Sequence, residues 1–399
     1  MKYDVVIIGG GPAGMMSAIS ASSLGAKVLL IEKNDKLGNK LLLTGGGRCN
    51  LTCIEKNNKD FCSKFGKNGD FLLSSFSIFN FQKTIEFFED VGIKKEGNKI
   101  YPGSENSKDV LKFLLSKLKE NKVKILTSSP VLEIKREGGR IKSVVLINGE
   151  AIEGKNYIIC TGGKSYSVTG SSGDAFAWDI GHTITELKPA LTPIEIKEKW
   201  TKSLQGISLK DICIIVNKKK YYGDLLFTHF GLSGPMILNI SKNIKPKDVI
   251  ILDLFPNKNK EELDKYFQKI FDKKKNKFVS TFLSEFMPEK LIPFILNFSS
   301  IPKARKINNL TKEERLRLIR AVKEIEFNVV GLLGFDKAMV TSGGISLKEV
   351  NSKTMKSKII NNLYFAGEVL DIDGPSGGYN LQACWTTGYI AGINATKND

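Results

Sequence analysis

Residues 1–14 read MKYDVVIIGGGPAG and set the apolar run 5–8 directly against a glycine-rich turn. Gly9, Gly11 and Gly14 have the G-x-G-x-x-G spacing, in which glycines make a tight turn, admit a pyrophosphate and let the next helix pack on the strand. A second apolar run ends at Glu32, about twenty residues on, where a ribose hydroxyl needs an acceptor. This segment predicts a dinucleotide-binding unit whose helix points its amino terminus at the phosphates.

The composition predicts several domains and a cytoplasmic location. A chain of 399 residues, 41% of them hydrophobic, is too long for one ordinary core. No apolar stretch approaches the roughly 20 residues of a membrane span, and the amino-terminal run is too short for a signal peptide. We therefore expect no membrane partner; the sequence does not indicate an oligomeric state.

The chain is basic, with a net charge of +18 from 60 basic and 42 acidic residues. Such a balance suits an RNA partner. The lysines, however, form small scattered clusters such as 218–220 and 273–275, with few arginines and few interleaved aromatic residues. This distribution favours a solvated lysine-rich surface and argues against a dedicated nucleic-acid platform.

The cysteine pattern predicts reduced thiols and no metal site. Six cysteines and two histidines form no C-x-x-C pair and no metal-ligand spacing. Cys49 and Cys53 lie four residues apart, a spacing that matches no dithiol motif, so a redox pair is the disfavoured alternative.

The periodicity along the chain predicts an α/β fold in three parts. Residues 1–189 and 337–399 contain apolar strands followed by glycine turns, which indicates a Rossmann-like domain built from both chain ends. Residues 190–258 and 324–336 carry β-branched and aromatic residues between turn signals and form a β-rich inserted domain. Residues 259–323 change to a helical period, with capping-box starts at Asn259 and Thr311, and form a helical insertion.

Six segments, spread over nearly the whole chain, carry a family resemblance: GGGPAG, EKNDKLGNKLLLTGGGRCN, TGGKSYSVTGSSGDAFAWDIGHT, LLFTHFGLSGP, MVTSGGISLKEVN and NLYFAGEVLDIDGPSGGYNLQACWTTGYIAG. They resemble the bacterial FAD-dependent oxidoreductases grouped as aminoacetone-oxidase-like flavoproteins, a family that includes a bile-acid reductase. The GDAF to GHT segment is also remotely similar to the fumarate reductase flavoproteins. The resemblance implies an FAD domain, a β-barrel-like insert and a helical insert.

The resemblance also implies which residues hold FAD. It places the pyrophosphate at the first glycine turn, the adenosine ribose at Glu32 with Lys33, the flavin near Arg48 and Asn50, and a ribityl hydroxyl at Glu368. A helix opened by residues 377–381 begins beside the flavin ring, where its amino terminus stabilises negative charge on reduction. The complete predicted set is Gly9, Gly11, Pro12, Ala13, Gly14, Glu32, Lys33, Lys40, Gly46, Gly47, Arg48, Cys49, Asn50, Val131, Thr161, Gly162, Gly163, Gly367, Glu368, Gly377, Gly378, Tyr379, Asn380 and Leu381.

The loop at residues 44–50 predicts non-covalent FAD. Fumarate-reductase relatives that bind FAD covalently attach it through a histidine in the corresponding loop, and this loop has none. The chain also lacks a second strand-turn-helix fingerprint for a nicotinamide nucleotide. NADH or NADPH is therefore expected to bind only transiently at the flavin face, or not at all.

His229, in the segment FTHFG, is the candidate for proton transfer because histidine titrates near neutrality. A packed turn residue is an equal alternative for His229, and His182 is favoured as structural. Lys164, Tyr166 and Arg48 are further possible donors that the sequence does not rank.

The leading hypothesis is an FAD-dependent oxidoreductase acting on a small organic substrate. It is either an NAD(P)H-dependent reductase of a carbon–carbon double bond or an amine oxidase. The alternatives are a flavoprotein that modifies tRNA, which the basic composition suits, and a flavin-binding protein without turnover.

Overall fold

The computed structural model describes residues 3–178 and 180–397. The chain divides into two compact units, Met1–Ala190 with Phe335–Asp399, and Leu191–Gly334. The boundaries between the units fall at 190/191 and 334/335. The boundaries expected from the sequence, 189/190 and 336/337, differ from these by one and two residues.

The strands, in chain order, are β1 Tyr3–Ile8, β2 Val28–Ile31, β3 Thr52–Cys53, β4 Ile93–Glu96, β5 Lys99–Pro102, β6 Lys124–Leu126, β7 Val131–Glu137, β8 Arg140–Leu146, β9 Ala151–Ile152, β10 Gly154–Ile159, β11 Lys188–Ala190, β12 Ile194–Ile196, β13 Ser208–Val216, β14 Lys219–Phe227, β15 Gly231–Ser233, β16 Val249–Asp253, β17 Ile325–Leu332, β18 Val340–Ser342 and β19 Leu363–Phe365. The α-helices are α1 Pro12–Ser22, α2 Asn58–Ser63, α3 Leu73–Phe76, α4 Phe81–Phe87, α5 Ser107–Glu120, α6 Asp174–Ala177, α7 Pro235–Ile240, α8 Lys260–Phe271, α9 Val279–Leu283, α10 Ile292–Phe298, α11 Lys312–Lys323 and α12 Tyr379–Ala395.

A five-stranded parallel sheet in the order β6-β2-β1-β10-β19 forms the centre of the first unit. The chain adds strands first to one side of β1 and then to the other, and in such doubly wound sheets ligands bind at the carboxyl ends of the strands near the reversal. Residues 5–8 and 28–31 are buried throughout, because helices cover both faces of a parallel sheet. The Rossmann-type fold predicted from the sequence is confirmed.

Helices α1 and α12 pack closely because α12 has glycines at the contact. A Cβ on Gly388 would lie 2.5 Å from the carbonyl oxygen of Ala13, and one on Gly392 would overlap the carbonyl oxygen of Ser17 and the hydroxyl of Ser20. The last helix of the chain thus lies against the first.

Three smaller sheets complete this unit: β3-β5-β4, β7-β8-β9 and the pair β11-β18, all antiparallel. The sequence analysis did not predict β3, β4 and β5, which are two to four residues long. So short a strand has no measurable period, and its pairing depends on partners distant in sequence.

A closed barrel of six strands, in the order β12-β15-β14-β13-β16-β17, forms the second unit together with helices α7 to α11. The predicted β-barrel-like insert is confirmed. Both capping boxes are also confirmed, at Asn259 with Glu262 and at Thr311 with Glu314. Barrel residues such as Phe327 and helix residues such as Phe267 belong to one continuous hydrophobic core. No helix in the described ranges is long and apolar enough to cross a membrane.

Gly388→Ala is expected to lower the free energy of unfolding by about 1–3 kcal/mol, because the new methyl group meets backbone that cannot move without separating α1 from α12. The loss outweighs the roughly 1 kcal/mol that alanine gains over glycine in a helix. Urea denaturation followed by circular dichroism measures the difference. Gly103→Ala is the matched control in the same unit, since its Cβ would have no neighbour nearer than 3.4 Å. Equal stability of both variants would contradict the close packing.

Candidate functional site

The glycine turn after β1 leaves free space at the start of α1. A Cβ on Gly9, whose φ is +106°, would lie 2.5 Å from the carbonyl oxygen of Cys160, and one on Gly14 would overlap the carbonyl of Gly9. A Cβ on Gly11, the N-cap residue of α1, would meet nothing within 4 Å. The cap carries no side-chain hydrogen bond and the first turn no acidic residue. This arrangement fits a diphosphate at the positive end of the helix.

The carboxylate of Glu32 is fixed at the end of β2. Its Oε2 accepts a hydrogen bond from the backbone N–H of Gly10 at 2.7 Å, and its Oε1 accepts from the backbone and side-chain N–H groups of Asn34 at 2.9 and 2.7 Å. Glu32 is only 8% exposed. The strand end and the glycine turn are therefore joined through one buried acid.

A cleft opens at the carboxyl ends of β1 and β2, and its lining residues are Ile8, Gly9, Ile31, Glu32, Lys33, Ser129, Val131, Thr161, Gly170, Asp174 and Trp178. Five of the predicted residues meet here: Gly9, Glu32, Lys33, Val131 and Thr161. They come from four different stretches of the chain. The parallel sheet explains their meeting, because its strands end at one edge.

The other six lining residues of the cleft were missed by the sequence analysis as site residues: Ile8, Ile31, Ser129, Gly170, Asp174 and Trp178. Asp174 lies in the quoted GDAF segment, which was the available signal. Its carboxylate pairs with the Lys33 ammonium at 2.6 Å. The two charges thus neutralise each other at the cleft.

Two predicted residues carry buried polar atoms without a partner. Asn50 Oδ1 and Thr161 Oγ1 have no hydrogen bond within the described residues. An unsatisfied buried polar group costs about 1–3 kcal/mol. The two atoms therefore fit a ligand that supplies its own hydrogen-bonding groups.

The loop at residues 41–47 ends in three consecutive glycines, whose backbone has no side chain to cover it. Gly45, Gly46 and Gly47 have φ values of +58°, +67° and +90°, and a Cβ on Gly46 or Gly47 would meet nothing within 4 Å. A planar ring system could approach such a surface closely.

Arg48 lies against the β4–β5 hairpin. Its guanidinium pairs with Glu96 at 2.5 Å and with Glu105, and it sits 4.1 Å from the centre of the Tyr101 ring. Hydrogen bonds from the two carboxylates raise the pKa of Arg48. The side chain is therefore a fixed cation already held by protein groups.

A second acid, the partly buried Glu368, follows β19 and is held from three other chain segments. Its carboxylate accepts hydrogen bonds from Lys40 Nζ at 2.8 Å, from the Ser165 hydroxyl at 2.9 Å and from the Thr341 backbone N–H at 2.8 Å. Lys40 Nζ also donates to Ser165 at 2.7 Å. Ser165 and Thr341 were not predicted; both are fully buried and polar, a property that only the tertiary structure shows.

Residues 377–381 open α12, as predicted, and its first turn exposes backbone N–H groups. Gly377 and Gly378 have φ values of +109° and +102°, and the first turn of the helix has no acidic residue and no side-chain cap. Asn380 instead binds the N–H and carbonyl of Gly374 at 2.8 and 2.9 Å.

The side chain of Tyr379 is likewise engaged within the protein. Its hydroxyl donates to Glu55, and its ring packs 4.8 Å from the ring of Phe61. Burial raises the pKa of Tyr379. Leu381 packs partly buried against the hydrophobic core.

The cysteines are free thiols. Burial raises the pKa of Cys49 and of Cys53 to about 12, which keeps both protonated at neutral pH. Within residues 3–178 and 180–397, no group of three or more His, Cys, Asp or Glu side chains could hold a metal ion.

The two histidines differ in their surroundings. His229 is exposed on the turn between β14 and β15, with its ring 4.6 Å from that of Phe230. His182 is held at Nδ1 by the Ile180 carbonyl at 3.0 Å and at Nε2 by the Ser357 hydroxyl at 2.8 Å. Burial lowers the pKa of His182, which fits a neutral, structural ring.

Comparison with known proteins gives a family match over nearly the whole chain. The model described as "HI0933-like protein Rossmann domain" matches residues 3–394. A 3-dehydro-bile acid delta(4,6)-reductase of Clostridium scindens is 33% identical, covering 98% of this chain and 98% of its own. A ribosomal RNA dihydrouridine synthase of Haemophilus influenzae is 31% identical, also covering 98% of both chains.

Solved structures show the same fold. A flavocytochrome c3 fumarate reductase aligns with a TM-score of 0.54 at 17% identity, covering 99% of this chain and 78% of its own.

His182→Gln is expected to flatten the pH dependence of stability below pH 6.5. Because the folded-state pKa of His182 is lowered from its usual 6.5, its contribution is fully present above 6.5 and is lost as the pH falls through the folded-state pKa. Urea unfolding between pH 7.5 and about 5 measures the slope. His229→Gln is the control, since that ring is exposed. Identical slopes for His182→Gln and the wild type would refute the buried neutral ring.

Proposed function

We propose that this chain, which belongs to the HI0933-like family of FAD-dependent Rossmann-domain oxidoreductases, reduces a carbon–carbon double bond conjugated to a carbonyl group. The observation that carries the proposal is the likeness to the bile acid reductase along nearly the full length of both chains. The name of that relative describes reduction of double bonds in an acid that carries a 3-dehydro, or ketone, group. Formation of dihydrouridine, named for the second relative, likewise saturates a double bond beside a ring carbonyl.

We infer that NADH or NADPH is the electron donor. The overall reaction moves a hydride from the nicotinamide and a proton from solvent onto the two carbons of the double bond, and it releases NAD(P)⁺. When bound, FAD supplies the hydride-transfer chemistry. We infer a cytoplasmic location, because the proposed donor is an intracellular cofactor.

Several features of the first unit suit binding of the adenosine end of FAD. The free space at Gly11 and the uncapped amino terminus of α1 suit the pyrophosphate. Glu32 suits the adenosine ribose, and the unpartnered Thr161 Oγ1 suits a polar atom of the cofactor in the same cleft.

Other features of this unit suit binding of the flavin end of FAD. Glu368, held in place by Lys40, suits a ribityl hydroxyl. The bare glycine backbone at residues 45–47, the unpartnered Asn50 Oδ1 and the start of α12 suit the ring. The loop has no histidine and the Cys49 thiol is buried, so FAD is held without a covalent bond.

His229 is our candidate for the group that delivers the proton. Its ring is exposed, whereas the ring of His182 is hydrogen-bonded at both nitrogens.

A second candidate substrate is a uracil base in RNA. Two observations favour it: the full-length likeness to a ribosomal RNA dihydrouridine synthase and the net charge of +18. The chemistry is the same as for a small conjugated ketone, and the difference lies in the molecule that carries the double bond.

Lys40→Met is expected to weaken FAD binding roughly 10-fold or more, because it removes a charge-assisted hydrogen bond worth about 1.5–3 kcal/mol from the acid proposed to bind the cofactor. Fluorescence titration of the apoprotein with FAD measures the dissociation constant. Lys36→Met is the matched control, since Lys36 is exposed and its one ion pair within the described residues is with Asp35 at 3.9 Å. Equal affinities for both variants would contradict the role of Glu368.

The reaction is tested by anaerobic titration of the FAD-loaded protein with NADH and then NADPH, followed by flavin absorbance. Rapid bleaching is expected, and reoxidation by 4-androstene-3,17-dione or by a uridine-containing RNA distinguishes the two substrate classes. A flavin that stays oxidised with both donors, but is reduced by a primary amine, would make the protein an amine oxidase and overturn the proposal.

A further inference from the structure

Two lysine-bearing segments of the second unit, about thirty residues apart in the sequence, pair with each other. The N–H groups of Ile307 and Asn308 donate to the carbonyls of Lys277 and Lys275, each at 3.0 Å, and Phe278 bridges to Lys306. The turn after α8 therefore lies beside the turn that precedes α11. We call residues 273–278 with 303–306 the basic ridge.

Four exposed ammonium groups of the basic ridge lack a carboxylate partner. Lys273, Lys275, Lys303 and Lys306 form no ion pair within the described part of the chain. The nearby acids are used by other cations of the ridge and its flank. Glu285 pairs with Lys274 and, at 3.9 Å, with Lys277, and Glu314 pairs with Arg305 at 2.8 Å.

One large aromatic side chain is exposed inside this positive surface. Phe278 is 42% exposed and lies directly across from Lys306 in the paired segments. Proteins that bind single-stranded nucleic acid combine cations, which track the phosphates, with aromatic rings on which bases stack. A membrane surface would instead require an apolar face beside the cations, and a single ring does not provide one.

We propose that the basic ridge binds single-stranded RNA, with its four unpaired lysines on the phosphates and Phe278 stacked on a base. The inference extends the RNA candidate of the proposed function. It does not depend on turnover, because phosphate contacts and stacking require no chemistry at the flavin. Bases accessible for stacking occur in loops and single strands rather than in regular RNA helices, whose bases are paired.

The test measures binding of a fluorescein-labelled 20-nucleotide polyuridylate to the FAD-loaded full chain at several potassium chloride concentrations. The variant Lys273→Gln, Lys275→Gln, Lys303→Gln, Lys306→Gln is expected to bind at least 10-fold more weakly at low salt. The slope of the logarithm of its affinity against the logarithm of salt concentration is expected to decrease in magnitude by up to about 3. Each phosphate contact to a single strand contributes about 0.7 to this slope.

The matched control is Lys202→Gln, Lys210→Gln, Lys219→Gln, Lys220→Gln, which removes the same charge from exposed lysines of the same unit. It is expected to bind nearly as the wild type does. Phe278→Leu is expected to weaken binding roughly 5-fold or more with an unchanged salt slope, because stacking is lost while the charges stay.

Three results would overturn the inference: wild-type binding by the ridge variant, equal loss in the ridge and control variants, or ridge-dependent binding to phosphatidylglycerol vesicles with none to RNA. FAD absorbance and the rate of flavin reduction by NAD(P)H verify that each variant is folded. If the quadruple variant loses FAD, Lys273→Gln with Lys303→Gln replaces it. RNA binding without reduction of any double bond would refute the proposed function and leave this inference standing.

Discussion

The contact between the first and last helices is the constraint on which the first unit depends. Gly388 and Gly392 let α12 approach the backbone of α1 more closely than any side chain would allow. Gly367 extends the same contact, because a Cβ there would lie 2.7 Å from that of Ala13. The loop that carries Glu368 is therefore held against the start of the first helix, although about 350 residues separate the two in the sequence.

The site is largely formed by the protein alone. The carboxylates of Glu32 and Glu368 already accept hydrogen bonds from backbone and side-chain donors, so each is fixed before any ligand binds. Among the predicted site residues that the structure describes, the buried atoms without a hydrogen-bond partner are instead Asn50 Oδ1 and Thr161 Oγ1, which suit direct contact with the cofactor. The two acids are thus pre-organised for the hydroxyl groups that we propose they bind, and pre-organisation of this kind reduces the ordering cost of binding.

In the second unit, the barrel and its helices share one core, so the helical insertion does not form a separate body. The consequence extends to the surface. Pairing of residues 273–278 with 303–306 is maintained by backbone hydrogen bonds at the edge of that core, and it places like charges side by side at a cost in repulsion. An anionic partner would relieve this repulsion. A single exposed lysine, which has no like charge beside it, offers no such gain on binding an anion.

The sequence by itself determined the Rossmann-type fold, a β-rich insert and both capping boxes, because each depends on local signals: the glycine spacing at Gly9, strand periodicity, and acids three residues after Asn259 and Thr311. The barrel-like form of the insert was implied by the family resemblance. Membership of an FAD-dependent family followed from motifs of the same local kind. Only the tertiary structure decided the partners of Glu368, the engagement of Tyr379 within the protein and the assembly of the basic ridge. Those features join segments that are tens to hundreds of residues apart in the sequence. Hydrogen bonds and charge interactions depend on the distance between groups in space, which no local sequence pattern encodes.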